Sequence, residues 1–160
     1  MPRFELRKYH KNVGHEGEGF DCELWMDGVL AAHVTDEGGG GPPLYRWASR
    51  EMASKVLDHV KTLPAKVYPA DPKHGIHEAF SHPADRESFI WDLVAAHLED
   101  KRTRRAAKTK LLFKLKSDAG TDVAYRTLKS PYSEQAAEFV RKKYGDDLLE
   151  IINETLAKGD

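Results

Sequence analysis

Cysteine is almost absent: Cys22 stands alone in 160 residues. One thiol cannot close an intramolecular disulfide or build a cysteine-based zinc cluster, so a reducing cytoplasm is the expected setting. Long apolar runs are missing too. None approaches the roughly 18 residues of a membrane span, and the N-terminal stretch has no signal-like apolar segment, so no membrane association is expected. No internal repeat is found. Net charge nearly vanishes, with 25 Lys and Arg against 26 Asp and Glu for a formal −1. That balance excludes a uniformly basic nucleic-acid coat and an acidic tail protein. What the chain does have is 40% hydrophobic residues, enough for a real core, in a length that suits one domain or one domain with an appendage.

The balanced total hides a segregation. Residues 1–63 carry a net of −2, residues 64–100 a net of −4, residues 101–132 a net of +8 and residues 133–160 a net of −3. A single stretch therefore holds the whole positive excess.

The first part reads as β-structure followed by a helix. Phe20, Cys22, Leu24 and Met26 alternate with Asp21, Glu23 and Asp27, Trp25 interrupting the polar face, and Asp27-Gly28 suits a two-residue hairpin turn into a strand over 29–34. The run Asp36 to Pro43 is too rich in glycine and proline for regular structure. A helix is expected over 47–62, with Met52, Val56, Leu57 and Val60 at core spacing and Pro64 as its stop. Residues 64–83 hold four prolines and read as a loop or linker.

In the second half, Pro83-Ala84-Asp85 opens a helix whose Phe89, Ile90, Leu93, Val94, His97 and Leu98 make a regular stripe. Leu111, Phe113 and Leu115 alternate with lysines as a strand, the turn lies at 118–122, and 123–128 is its partner. Ser130-Pro131 and Ser133 start a helix over Ala136, Ala137, Val140 and Tyr144 that Gly145 closes. The end, 148–156, reads as a short strand because Ile151 and Ile152 are β-branched. The expected class is α+β, antiparallel β-hairpins packed with about three helices. Its parts are 1–63, a linker at 64–83 and 84–160, in one compact domain overall.

The string 101–116 holds eight positive charges and no acid. Continued at 100° per residue, the stripe of Ile90, Val94 and Leu98 projects onto Lys101, Arg105 and Lys108, with Arg104 beside them. Burying four unpaired cations is prohibitive. Either the helix ends near Asp100, or it offers this face to something anionic. Lys110, Lys114 and Lys116 follow on one strand face, with Arg126 as a possible addition from the partner strand. Clustered Lys and Arg suit phosphates, and an acidic protein surface would serve equally. The bland alternative is a solvated face whose cations favour the helix dipole by about 0.3–1 kcal/mol each. Aromatics are few here, Phe113 and Tyr125 only.

Other chemistry is thinner. His74, His77 and His82 share a loop with Asp71, Glu78 and Asp85 and are candidate metal ligands. Their spacing misses the HExxH pattern by one residue, which turns the imidazoles of His77 and His82 apart by about 140° on a helix. His33-Val34-Thr35 matches the H-x-T element of two-histidine phosphoesterases, but no second copy exists. Gly38 to Gly41 lacks the lysine and hydroxyl of a P-loop. Cys22, on a strand, reads as core and not as a nucleophile. No catalytic constellation emerges, and no cofactor is implied.

Two stretches, FDCELWMDGVLAAHVTDEGGGG with the aromatic Leu44-Tyr45-Arg46-Trp47, and YRTLKSPYSEQAAEFVRKKYGDDLLEIIN, resemble small uncharacterised α+β proteins of bacteria and their phages. The resemblance implies an accessory or inhibitory factor of a mobile element, a kind of protein that commonly occupies a host's nucleic-acid-binding surface. The leading expectation is a non-enzymatic protein that binds nucleic acid or another polyanion through Lys101, Arg104, Arg105, Lys108, Lys110, Lys114, Lys116 and Arg126. The second is a protein–protein inhibitor or adaptor acting on a host protein through the acidic residues Glu16, Glu18, Asp21, Glu23 and Asp27 or through the basic face. The third is a metal-dependent or two-histidine phosphoesterase. Oligomeric state is not legible in the sequence.

Overall fold

A computed structural model describes residues 1–159. The chain divides into two compact units, Met1–His97 and Leu98 onward. The division falls inside a helix and not at the proline-rich stretch 64–83.

The first unit is built on an antiparallel meander, β1 (Phe4–Val13), β2 (Glu18–Met26), β3 (Val29–Asp36) and β4 (Leu44–Trp47), in that spatial order. Register places Cys22 opposite Val34 and Leu24 opposite Ala32, so the inner face is a block of side chains with almost no solvent exposure. The Asp27-Gly28 turn carries positive φ at both residues, as a tight hairpin of right-handed strands requires. β1 contains a bulge between Arg7 and His10, centred on Lys8 with φ +50. The extra residue shifts the alternation. Lys8 reaches the other face and meets Glu23 at 2.8 Å, while Tyr9 stacks on Phe20 at 6.0 Å.

The helix α1 (Arg50–Lys61) starts where Ser49 accepts the Met52 N–H at 3.1 Å, and it buries Val56 and Val60. Trp47, expected in that helix, belongs to β4 instead. Residues 64–83 are not an irregular linker. β5 (Lys66–Tyr68) and β6 (Phe80–His82) pair as a hairpin, and the bridge Asp71–Ile76 with Gly75 at φ +78 closes a 3-10 turn at its tip. The prolines flank the paired residues, so none removes a ladder donor.

The helix α2 (Arg86–Ala107) opens in the first unit and ends in the second. Asp85 Oδ1 accepts the Ser88 N–H at 2.7 Å while Ser88 Oγ accepts the Asp85 N–H at 3.1 Å, a reciprocal N-cap. Within the first unit it buries Phe89, Ile90 and Val94.

The second unit has a three-stranded antiparallel sheet with β7 (Leu111–Leu115) between β8 (Arg126–Leu128) and β9 (Leu148–Ile151). Its core is Leu111, Phe113, Leu115, Ala137, Val140 and Ile151. The helix α3 (Glu134–Tyr144) starts on Ser133, which accepts the Ala136 N–H at 3.1 Å, and ends at Gly145 with φ +49. β8 is shorter than the expected 123–128. The expected terminal strand is half right: after Ile151 the chain turns into α4 (Ile152–Gly159). Asn153 explains the change. Its amide donates to the Ala107 and Lys110 carbonyls at 3.0 Å each, and its Oδ1 accepts the Leu112 N–H at 2.7 Å. These bonds require residue 153 at the end of α2 and the start of β7, which an extension of β9 would not deliver. Among the described residues no helix is long and apolar enough to cross a membrane.

Candidate polyanion-binding site

α2 does not end near Asp100. It runs unbroken to Ala107, where Asn153 satisfies carbonyls that a helix C-terminus leaves open. In this half the half-buried positions are Thr103, Ala106 and Ala107, while Lys101, Arg104, Arg105 and Lys108 are exposed. The positions that carry apolar side chains in the first half thus carry solvated cations in the second. This removes the burial penalty that a continuous helix would otherwise incur.

The eight basic residues fall into two groups. Lys101, Arg105, Lys108, Lys110 and Lys116 have no ion pair among the described residues. Arg104 is held by Asp100 at 2.9 Å, Lys114 by Glu150 across the sheet at 2.8 Å, and Arg126 by Asp118 through a two-pronged contact at 2.9 and 2.8 Å. Each of the last two pairs holds its carboxylate below the usual range, chiefly through the hydrogen bond from the cation.

The expected basic strand face does not form as a continuous surface. Leu112, between Lys110 and Lys114 on that face, is fully buried, and Lys116 has already left β7 for a 3-10 turn. Register sets Arg126 opposite Phe113, on the other side of the sheet from Lys114. Strand alternation alone could not show this, because it sets Leu112 on the lysine face while the structure buries it.

On the helix the geometry is coherent. Lys101 and Arg105 share one face of α2 a turn apart, and Lys108 follows on the turn that closes the helix, its N–H bonded to the Arg105 carbonyl at 3.3 Å. Beside them, Arg104, Ala107, Lys108, Tyr132, Asn153 and Leu156 line an open groove of about 480 Å³. Tyr132 was not among the expected site residues. Its hydroxyl lies 2.9 Å from Glu134 and 3.1 Å from Glu154, and these carboxylates push its pKa up to about 12, so it stays protonated. Both carboxylates are also engaged by Arg141. Tyr132 lies 24 positions beyond Lys108, so no local signal ties it to the basic segment.

No known protein family, curated protein or solved structure matches the chain.

The other sequence candidates are dispersed. His74 pairs with Asp71 at 2.7 Å and His82 Nδ1 contacts the Pro83 carbonyl at 2.8 Å. Among the described residues, no three His, Cys, Asp or Glu side chains form a group able to hold a metal ion. Thr35 of the H-x-T element donates its hydroxyl to Asp21 at 2.7 Å. Burial, with a smaller contribution from Asp21, pushes the Cys22 thiol up to about 12, which leaves it unreactive at neutral pH. The acidic residues of the first hairpin are largely occupied within the sheet. Glu18 meets Lys11, Glu23 meets Lys8 and Trp25, and Asp27 accepts the Arg3 N–H.

Proposed function

We propose that this protein is a non-enzymatic binder of nucleic acid or another polyanion, and that the C-terminal half of α2 is its contact surface. The observation that carries the reading is the exposed face of Lys101, Arg105 and Lys108, which no carboxylate among the described residues neutralises. Such a face attracts phosphates by counterion release and does not read sequence. Arg104 and Lys110 flank it. Lys114 and Arg126, already paired, contribute less. Tyr132 adds an aromatic ring beside Lys108 in the same groove, which suits stacking of a single-stranded base. The resemblance to small phage and bacterial proteins fits an accessory role for such a factor in the cytoplasm.

The test is fluorescence anisotropy with labelled single- and double-stranded DNA and RNA at several salt concentrations. The triple substitution Lys101→Ala, Arg105→Ala, Lys108→Ala is expected to weaken binding regardless of sequence and to flatten the log–log salt slope on duplex by about 2.7. Lys114→Ala should leave binding nearly unchanged. Tyr132→Ala should weaken single-strand binding more than duplex binding. Equal affinity of the triple variant and the parent would move the site elsewhere.

A further inference from the structure

The hairpin over 66–82 builds a second site of opposite sign. Tyr68 and Phe80 stand opposite each other across β5 and β6, with rings stacked 5.0 Å apart at 17°. They stay 40% and 48% exposed, and Trp91 of α2, 38% exposed, joins them on one open groove of about 470 Å³ within the first unit. Trp91 is anchored edge-on against the buried Phe20 at 5.0 Å. Three aromatic rings thus border one open groove.

The polar groups of that groove leave it negative. Lys66 is neutralised by Asp92 at 2.6 Å. His82 Nδ1 donates to the Pro83 carbonyl at 2.8 Å. The Ser88 backbone N–H, foremost, holds Asp85 below the usual carboxylate range, so it is ionised at neutral pH. Glu87 is exposed, with no cationic partner among the described residues. Arg86, its neighbour in sequence, sits 5.7 Å over the Tyr45 ring.

We propose that this groove binds an arginine side chain presented by an extended segment of a partner protein. Aromatic faces attract cations within about 6 Å of the ring, and nearby carboxylates add to the attraction. Arginine suits the groove better than lysine, because a flat guanidinium lies on an exposed ring and forks toward a carboxylate at once. A side chain on a protein suits it better than a free small molecule. Small-ligand sites enclose about 70–90% of their ligand, whereas this groove is open. Charge complementarity points the same way, since residues 64–97 carry 3 basic and 5 acidic side chains. The site is independent of the polyanion surface on the second unit, so either proposal can fail alone.

The experiment follows the Trp91 indole resonance of the ¹⁵N-labelled full chain. The probes are an eight-residue Gly/Ser peptide carrying two arginines, its twin with citrulline at both positions, and agmatine. The arginine peptide is expected to shift the resonance saturably and to bind about tenfold or more tightly than the citrulline twin. Tyr68→Ala and Glu87→Gln should each weaken it by about 3–10-fold. Glu87→Lys, an exposed first-turn change that leaves the Asp85–Ser88 cap intact, should abolish binding while the thermal midpoint and circular dichroism stay those of the parent. No binding of the arginine peptide overturns the proposal, as does equal binding of the citrulline twin. Agmatine binding as tight as the peptide overturns it in favour of a small cation.

Discussion

In the first unit, residues 1–97, 11 bases face 15 acids, and in the second they number 14 against 11. The arrangement differs more than the count. On the meander, contacts between β1 and β2 match Lys8 with Glu23 and Lys11 with Glu18, and Arg7 meets Glu5 on its own strand. In the second unit Lys114 pairs with Glu150 across the sheet and Arg126 with Asp118 in the turn after β7, while α2 and its closing turn leave Lys101, Arg105 and Lys108 without acids among the described residues. A sheet sets side chains of neighbouring strands about 5 Å apart and so brings opposite charges together. An exposed helix face has only its own i+3 and i+4 neighbours, and here these are cations. A run of neighbouring unpaired cations is thus the distinguishing property of the second unit, and an exposed aromatic groove that of the first.

The largest expected effect tests whether the units are energetically separate. Phe113→Ala, in the core of the second unit, should cost about 3–5 kcal/mol, and Ile90→Ala, in that of the first, about 2–5 kcal/mol. Calorimetry should show two transitions, each variant lowering only its own. A single transition shifted equally by both would dissolve the comparison.

Asn153→Ala comes next. It removes three hydrogen bonds and leaves the Leu112 N–H without its acceptor, at a cost of about 1–3 kcal/mol. Protection of the last turn of α2 against amide exchange should fall with it, which would sharpen the role of Asn153 as the clamp of the basic helix.

The two serine caps provide an internal control, because the same device starts α1 and α3. Ser49→Ala and Ser133→Ala should each cost about 1 kcal/mol by denaturant titration. Unequal values would show that one unit holds its helix less dependently on the cap.

The pH dependence separates the units further. Glu23 lies below its ordinary pKa, first through the hydrogen bond from Lys8 and then that from Trp25. A depressed carboxylate stabilises the fold above its unfolded pKa, and that contribution is lost as pH falls through the folded value. Glu23→Gln should therefore reduce the acid sensitivity of the first unit, read as a smaller change in midpoint between neutral pH and pH values below the ordinary glutamate range. The smallest effect belongs to the exposed cations. The triple substitution at Lys101, Arg105 and Lys108 should alter stability by less than about 0.5 kcal/mol per site, although it is expected to remove polyanion binding.

Much of the fold could be read locally. The Asp27-Gly28 turn, the alternation of Phe20, Cys22 and Leu24, the Ser133 cap and the Gly145 stop are short-range rules, and each element appeared where they placed it. Residues 64–83 defeated the same rules, since prolines and glycine signal a loop and the pairing of Tyr68 with Phe80 is a cross-strand event. The end of the chain split between strand and helix because Asn153 answers to carbonyls more than 40 positions earlier.

The sequence by itself determined the α+β class, the segregation of charge and the need to keep the cations at 101, 105 and 108 out of the core, because these follow from composition, local pattern and the cost of burying charge. The run of α2 past Asp100 was settled by the structure. Only the tertiary structure decided which cations find an acid, that Leu112 closes the strand face, that Tyr132 joins the basic groove, and that Tyr68, Phe80 and Trp91 share another. Those depend on register and on contacts between distant residues, and backbone pairing across a sheet is what sets them.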